Sequence, residues 1–258
     1  MSKELHIALV QCPLVWENPQ ANRDSLEKTI QTLSKEVDLI VLPEMFTTGF
    51  TMSPANIPLE EGQRTLAWMK AMASQNNAAL VGSIVFGDTG NYYNRLWFVE
   101  SDGTTASYDK RHTFTLAGED KVYASGRRKL LINYRGFRIC PLICYDLRFP
   151  VWARNTEAYD VLIYVANWPE KRIAAWDTLL KARAIENMAY VIGVNRVGAD
   201  PSGIQYVGHS AVYDVLGNSL AYSEVETVLY ATLSKKHIEE HRQRFLFLED
   251  RDQFTLEE

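Results

Sequence analysis

Three side chains able to do amide chemistry stand at the ends of three strand-like stretches. Glu44 follows Val41-Leu42-Pro43, Lys110 follows Ser107-Tyr108-Asp109, and Cys144 follows Pro141-Leu142-Ile143. A thiol attacks a carbonyl only after losing its proton, and an unperturbed pKa near ~8.5 leaves little thiolate at neutral pH. A carboxylate following an apolar strand is desolvated, which raises its pKa towards the working pH and makes it a usable base. The attacked carbonyl oxygen gathers negative charge; a fixed ammonium and a backbone N–H can hold it, each donor contributing about 3–4 kcal/mol. Each residue alone has an ordinary explanation. Free cysteine is among the most buried residue types, and a glutamate or lysine ending a strand is normally solvated or ion-paired. Together they supply what cleavage of an amide by a thiol requires.

Such groups act only if the elements beneath them present all three at one place, and the carboxyl ends of strands are where α/β folds bind ligands. The pattern predicts strands over residues 6–14, 37–42 and 78–86, with helices over 18–36 and 63–75. The near-continuous apolar run 37–42 has the look of a strand covered on both faces. Residues 91–99 and 104–110 form a meander across Ser101-Asp102-Gly103, and 129–134 with 137–144 flank a hairpin at Arg135-Gly136. Pro141 removes a ladder donor, so an edge or a bulge is expected there. Beyond it come helix 152–159, strand 161–166, helix 170–188, strands 190–197, 209–213 and 227–233, helix 237–245, and a Glu-rich tail expected to be an arm. Residues 45–61 and 112–128 read as loops. The halves before and after Gly136 share an order of elements, which predicts two similar half-layers packed sheet to sheet: helices, sheet, sheet, helices. A doubly wound parallel sheet is the alternative.

Composition narrows the class. The chain has 258 residues, 47% hydrophobic and 23% charged, with 27 Lys+Arg against 32 Asp+Glu and a formal charge of -5. No basic arm appears, which argues against nucleic acid as a partner. No apolar run approaches the ~18 residues of a membrane span, and the N-terminal run is too short for a signal peptide. Cys12, Cys140 and Cys144 make neither a disulfide framework nor a zinc spacing. Cys140 and Cys144 share strand parity yet lie too far apart along one strand to bridge. A reduced, cytoplasmic protein is expected.

Segments 42–46 (LPEMF), 108–112 (YDKRH) and 143–150 (ICYDLRFP) resemble, in order, the three signature segments of the nitrilase (carbon–nitrogen hydrolase) superfamily. The likeness continues through 166–169 (ANWP), 182–187 (ARAIEN) and 208–210 (GHS), and so covers essentially the whole chain. It implies one carbon–nitrogen hydrolase domain over 1–258, a four-layer α-β-β-α sandwich, a homodimer with sheets stacked across the interface, and a Glu–Lys–Cys triad with no metal or organic cofactor. Carried over by position, Glu44 is the general base, Lys110 the stabilising cation and Cys144 the nucleophile, with the backbone N–H of Tyr145 joining Lys110 around the oxyanion. Glu119 in Ala117-Gly118-Glu119 resembles the second glutamate of many members; its ordinary explanation is a solvated loop carboxylate.

The CYDLRFP segment and the run from Asn167-Trp168-Pro169 to Trp176 look most like the omega-amidase branch. That implies hydrolysis of the terminal amide of short dicarboxylic acid monoamides, such as 2-oxoglutaramate or 2-oxosuccinamate, through a Cys144 thioester. Tyr145-Asp146 stands where aliphatic nitrilases more often carry Trp-Glu, which favours amide over nitrile. The proline often found in the 214–217 turn is missing here. A distal carboxylate is best held by a bidentate arginine: Arg148 and Arg172 are the candidates, each with an ordinary ion-pair or solvated explanation, while Arg183 is read as making structural pairs. Phe114, Tyr145 and Trp168 are candidate pocket walls. His112 is read as bracing its loop. Rivals are another amidase or N-carbamoyl amide hydrolase of the superfamily, a Cys–Lys–Asp hydrolase with Asp146 or Asp109 as base, and a nitrilase-like binding module.

Overall fold

The apolar run that reads as a doubly covered strand, 37–42, is buried along its whole length, as is the strand at 161–166, and each lies inside a sheet rather than at its edge. The computed structural model describes residues 3–256. Its first half runs β1 (Glu4–Gln11), α1 (Pro19–Gln31), β2 (Leu39–Val41), α2 (Glu61–Asn76), β3 (Ala79–Asp88), β4 (Asn91–Val99) and β5 (Thr105–Asp109). The second runs β6 (Ile132–Tyr134), β7 (Phe137–Ile143), α3 (Pro150–Ala153), β8 (Val161–Ala166), α4 (Ile173–Asn187), β9 (Tyr190–Asn195), β10 (Val197–Ala199), β11 (Gln205–Val207), β12 (Ser210–Tyr213) and β13 (Ser219–Ser223). Strand β14 (Thr227–Ser234) and helix α5 (Lys235–Phe245) close the described chain.

Two six-stranded sheets result, ordered β14-β1-β2-β3-β4-β5 and β13-β12-β9-β8-β7-β6, with β10 and β11 paired apart from both. In each sheet three consecutive strands are parallel, β1-β2-β3 and β7-β8-β9, and antiparallel strands follow. The repeat seen in the sequence is thus a repeat of topology: strand, helix, strand, helix, strand, then a meander. The doubly wound single sheet is set aside.

Strand β1 shows why the sheets stack. Its alternate residues Ala8 and Val10 pack with Leu26, Ile30 of α1 and Leu66, Met69 of α2. Leu5, Ile7 and Leu9 face the other way, into a core shared with Phe137 and Ile139 of β7. A strand apolar on both faces is stable only between two layers, here helices on one side and the second sheet on the other. Polar ties cross the same gap: Tyr134 donates to the Asp38 carbonyl at 2.8 Å and accepts from the Ala79 N–H at 3.2 Å.

Some expectations need adjusting. The helix expected over 152–159 is a single turn, α3, because Asn155 takes over the backbone: its side chain bonds Tyr159 N and O and the Asn187 carbonyl. The hairpin β10–β11 and strand β13 were not foreseen; all three strands are short and largely exposed, so periodicity has little to report. Pro141 sits where β6 has already ended, its last pair being Ile132 with Ile139, so β7 is locally an edge on that side. The expected arm turns back on the body, with Leu256 beside Phe149 and Trp152, while Glu257 and Glu258 lie outside the described residues.

Candidate active site

Glu44 leaves β2 into a loop fixed by the next strand: Met45 N–H donates to the Ser83 hydroxyl at 2.9 Å and Phe46 N–H to the Ser83 carbonyl at 3.1 Å. Lys110 continues β5, its N–H donating to the Asn94 carbonyl at 3.0 Å. Its carbonyl accepts from Gly126 N–H at 2.8 Å, and a Cβ at Gly126 would lie 2.0 Å from the Asp109 carbonyl, so only glycine allows this approach. Cys144 ends β7 and opens the 3-10 turn Cys144–Arg148 at φ +42°, a left-handed conformation costly for any residue with a Cβ.

Asp146 keeps that elbow folded. Its carboxylate accepts from Ile143 N–H at 3.0 Å, Tyr108 Oη at 2.8 Å and His112 N–H at 3.0 Å, and contacts His112 Nδ1 at 2.7 Å. The His112 ring stacks on Phe149 at 3.7 Å, so His112 braces the turn. Asp109 is held bidentate by Arg95 at 2.6 and 3.1 Å. Both aspartates of the rival reading are thereby committed elsewhere.

The carboxylates and the ammonium converge in a dry interior. Glu44 is 0% exposed, Lys110 1% and Glu119 0%. Lys110 Nζ lies 2.9 Å from Glu44 Oε1 and 3.0 and 2.9 Å from the two oxygens of Glu119. Glu119 Oε2 also accepts from Phe114 N–H at 2.6 Å. Glu44 Oε2 accepts from Asn167 N–H at 2.8 Å. Asn94 Nδ2 reaches both carboxylates, 2.8 Å to Glu44 and 3.2 Å to Glu119. Cys144 is half-buried as a residue, and its thiol interacts with Glu44 and Lys110.

Burial pulls the Lys110 amine down, but Glu119 and Glu44 outweigh it and hold the amine above its usual range. Burial pushes the Glu119 carboxyl up; Lys110 opposes this and Glu44 adds to it. Burial also lifts the Cys144 thiol well above its ordinary 9.0, with Glu44 reinforcing and Lys110 opposing. The resting thiol is therefore neutral, and a base must take its proton as it attacks.

The thiol opens on a cavity of about 500 Å³. Tyr145, Arg148, Trp168 and Arg172, singled out from sequence, all line it, as does Phe114. Arg148 lies over the Trp168 ring and Arg172 over the Phe114 ring, each at 5.0 Å. Neither guanidinium has an ion-pair or hydrogen-bond acceptor for its charge among the described residues. Arg183 is spent on structure, donating to Glu186 at 3.0 Å and to the Leu147 carbonyl at 2.7 Å. Sequence reasoning missed Asn94 and the polar walls at Glu17, Ser53 and Asp200. A signal for Asn94 was present: it falls opposite Lys110 in the register of the foreseen meander.

Residues 6–243 match the model of a family described as carbon-nitrogen hydrolase. The chain is 44% identical over 254 residues to the omega-amidase YafV of Yersinia enterocolitica, with 98% of each chain covered. It is 33% identical over 220 residues to the 2-oxoglutaramate amidase of Bacillus subtilis, covering 83% of this chain and 85% of the other. Among solved structures, XC1258 of Xanthomonas campestris, a CN-hydrolase superfamily protein with an arsenic adduct in its active site, superposes with a TM-score of 0.95. Its identity is 41%, with 98% of this chain and 99% of that one covered.

Proposed function

The chain belongs to the carbon–nitrogen hydrolase family, and within it we propose an omega-amidase that hydrolyses the terminal amide of short dicarboxylic acid monoamides of the 2-oxoglutaramate type. The observation that carries the reading is the pair of guanidiniums without counter-ions among the described residues, Arg148 and Arg172, each over an aromatic ring in the cavity that Cys144 opens on. A substrate whose amide meets the thiol brings a carboxylate to their end of the pocket, where a planar fork can bind it bidentately. Phe114, Tyr145 and Trp168 enclose the short chain between.

Chemistry follows from the charges. Glu44 takes the Cys144 proton while the sulfur attacks the amide carbon. Lys110 Nζ and the Tyr145 N–H hold the oxygen as it becomes anionic. When the tetrahedral species collapses, Glu44 returns the proton to the nitrogen and ammonia leaves. Water, deprotonated by the same carboxylate, then opens the thioester, releasing the acid and the thiol. Glu119 keeps Lys110 charged and in place. Every step is a proton transfer or acyl transfer by the chain's own groups. A reducing, cytoplasmic setting goes with a free nucleophilic thiol, and a homodimer is part of the same reading.

An ammonia-release screen over 2-oxoglutaramate, succinamate, glutaramate, glutamine, N-carbamoyl amino acids and a nitrile tests it. Activity is expected on the dicarboxylic monoamides and lost in Cys144→Ala with the fold retained. Activity confined to the nitrile or the carbamoyl compounds would overturn it.

A further inference from the structure

Asn94 is 1% exposed, on β4. The β4–β5 register pairs Arg95 with Asp109 and continues through the Lys110 N–H to the Asn94 carbonyl, so Asn94 and Lys110 are cross-strand neighbours on one face. Its Nδ2 spends both hydrogens on carboxylates, 2.8 Å to Glu44 Oε1 and 3.2 Å to Glu119 Oε1. Those oxygens only accept when ionised, which fixes the nitrogen on that side. The Asn94 Oδ1, turned away, has no partner among the described residues. The two Nδ2 bonds tie carboxylates from two separate segments of the chain to one side chain.

We propose that Asn94 is a positioning residue for the reaction: its amide, donating to both carboxylates at once, holds Glu44 beside Lys110 as the acceptor for the thiol proton. The argument rests on the reading of Glu44 as the base. Two buried carboxylates facing one ammonium repel each other, and a proton entering the site goes to the less stabilised one. Lys110 leans towards Glu119, touching both of its oxygens but only one of Glu44. Asn94 leans the other way, with its shorter bond to Glu44. The remaining groups facing Glu44 are the Cys144 thiol, Asn167 and, at longer range, Tyr123 and Tyr206; Glu119 faces Phe114 N–H and Tyr123. Besides Lys110, Asn94 is the donor that contacts both carboxylates. Without it each carboxylate loses a donor that favours its accepting form, and the buried pair as a whole takes up a proton more readily.

The test compares wild type, Asn94→Leu and Asn94→Ser on one dicarboxylic monoamide, recording kcat and KM from mildly acid to mildly alkaline pH, with Tm alongside. Asn94→Leu is expected to lower kcat at least about tenfold at neutral pH, out of the ~10²–10⁴-fold that a general base contributes. KM should change little and the acid limb should move to higher pH, so that activity recovers in part as pH rises. Asn94→Ser, which keeps one donor, should fall between. An acid limb unmoved in both variants overturns the proposal, as does a loss equal at every pH. If the leucine variant does not fold, the serine variant decides alone by the same limb. Wild type inactive on every amide would instead count against the reading of the site as an amidase.

Discussion

Asn167, just past β8 in one sheet, grips Glu44, just past β2 in the other: its N–H donates to Glu44 Oε2 at 2.8 Å and its side-chain amide to the Glu44 carbonyl at 2.6 Å. The carboxylate thus points where it does only when the two sheets are stacked. Asn167→Ala keeps the backbone bond and orphans a buried carbonyl, a loss of about 1–3 kcal/mol. Turnover should fall by more than stability does, because the base loses its aim. Urea unfolding beside kcat measures both; a variant of normal kcat and lowered stability would make the contact purely structural.

Thiol labelling and amide turnover should respond in opposite senses to Glu44→Gln. Burial and then the Glu44 charge hold Cys144 above its ordinary pKa, so removing that charge lets the thiol ionise at lower pH. Iodoacetamide labelling of Cys144 should start at lower pH in the variant, while amide turnover collapses by ~10²-fold or more. Labelling that becomes slower in Glu44→Gln would mean the carboxylate activates the resting thiol instead.

Alkaline stability follows from the same shift. A folded-state pKa above the unfolded value gives stability that is complete below the unfolded pKa and is lost as pH rises through the folded one. Cys144 behaves this way, and so do Cys12 and Cys140, whose burial pushes each up to about 12. Between neutral pH and about pH 10, above the ~8.5 of a free thiol, the protein should lose stability. Cys140→Ala should lose less than wild type over that interval. Denaturant midpoints at the two pH values give the answer, and equal slopes for both proteins would contradict it.

Lys110 is held by two buried carboxylates, so Lys110→Met leaves like charges facing each other without a cation. Breaking a buried ion pair costs about 3–5 kcal/mol, and the oxyanion loses a donor worth roughly 10²–10³-fold in rate. Stability of the variant should improve as pH falls and Glu119 takes up a proton. A Tm flat with pH in Lys110→Met would show that the carboxylates are not in repulsion.

Arg148 and Arg172 should separate by substrate charge. Replacing the arginine that anchors the distal carboxylate with alanine removes a charge-assisted bond of about 1.5–3 kcal/mol, raising KM for a dicarboxylic monoamide by roughly ten- to a hundredfold. A neutral aliphatic amide should be hydrolysed with nearly unchanged constants. Equal losses on both substrates in both variants would assign the arginines to wall-building alone.

Much of this protein was legible along the chain. The near-continuous apolar run 37–42 announces a doubly covered strand, because residues dry on either side of a sheet are mostly apolar. Glu44, Lys110 and Cys144 stand out as reactive types where strand-like runs stop. The matching order of elements in the two halves foretold paired sheets for the same reason, since hydrophobic period is set by local backbone geometry.

Other features were decided only by folding. Glu119 sits in a loop with no period; the resemblance of Ala117-Gly118-Glu119 singled it out, but its burial and its pairing exist only once Lys110 closes on it. Whether Arg148 or Arg172 keeps a free charge depends on which acidic groups the packing leaves out of reach. The clasp of Asn167 on Glu44 joins residues 123 positions apart, and Asn94 acquires its two hydrogen bonds to carboxylates only when β4, the segment after β2 and the 112–128 loop meet. Pattern is a property of neighbours in sequence; desolvation, pairing and proton affinity are sums over neighbours in space, and those exist only once the two sheets have come together.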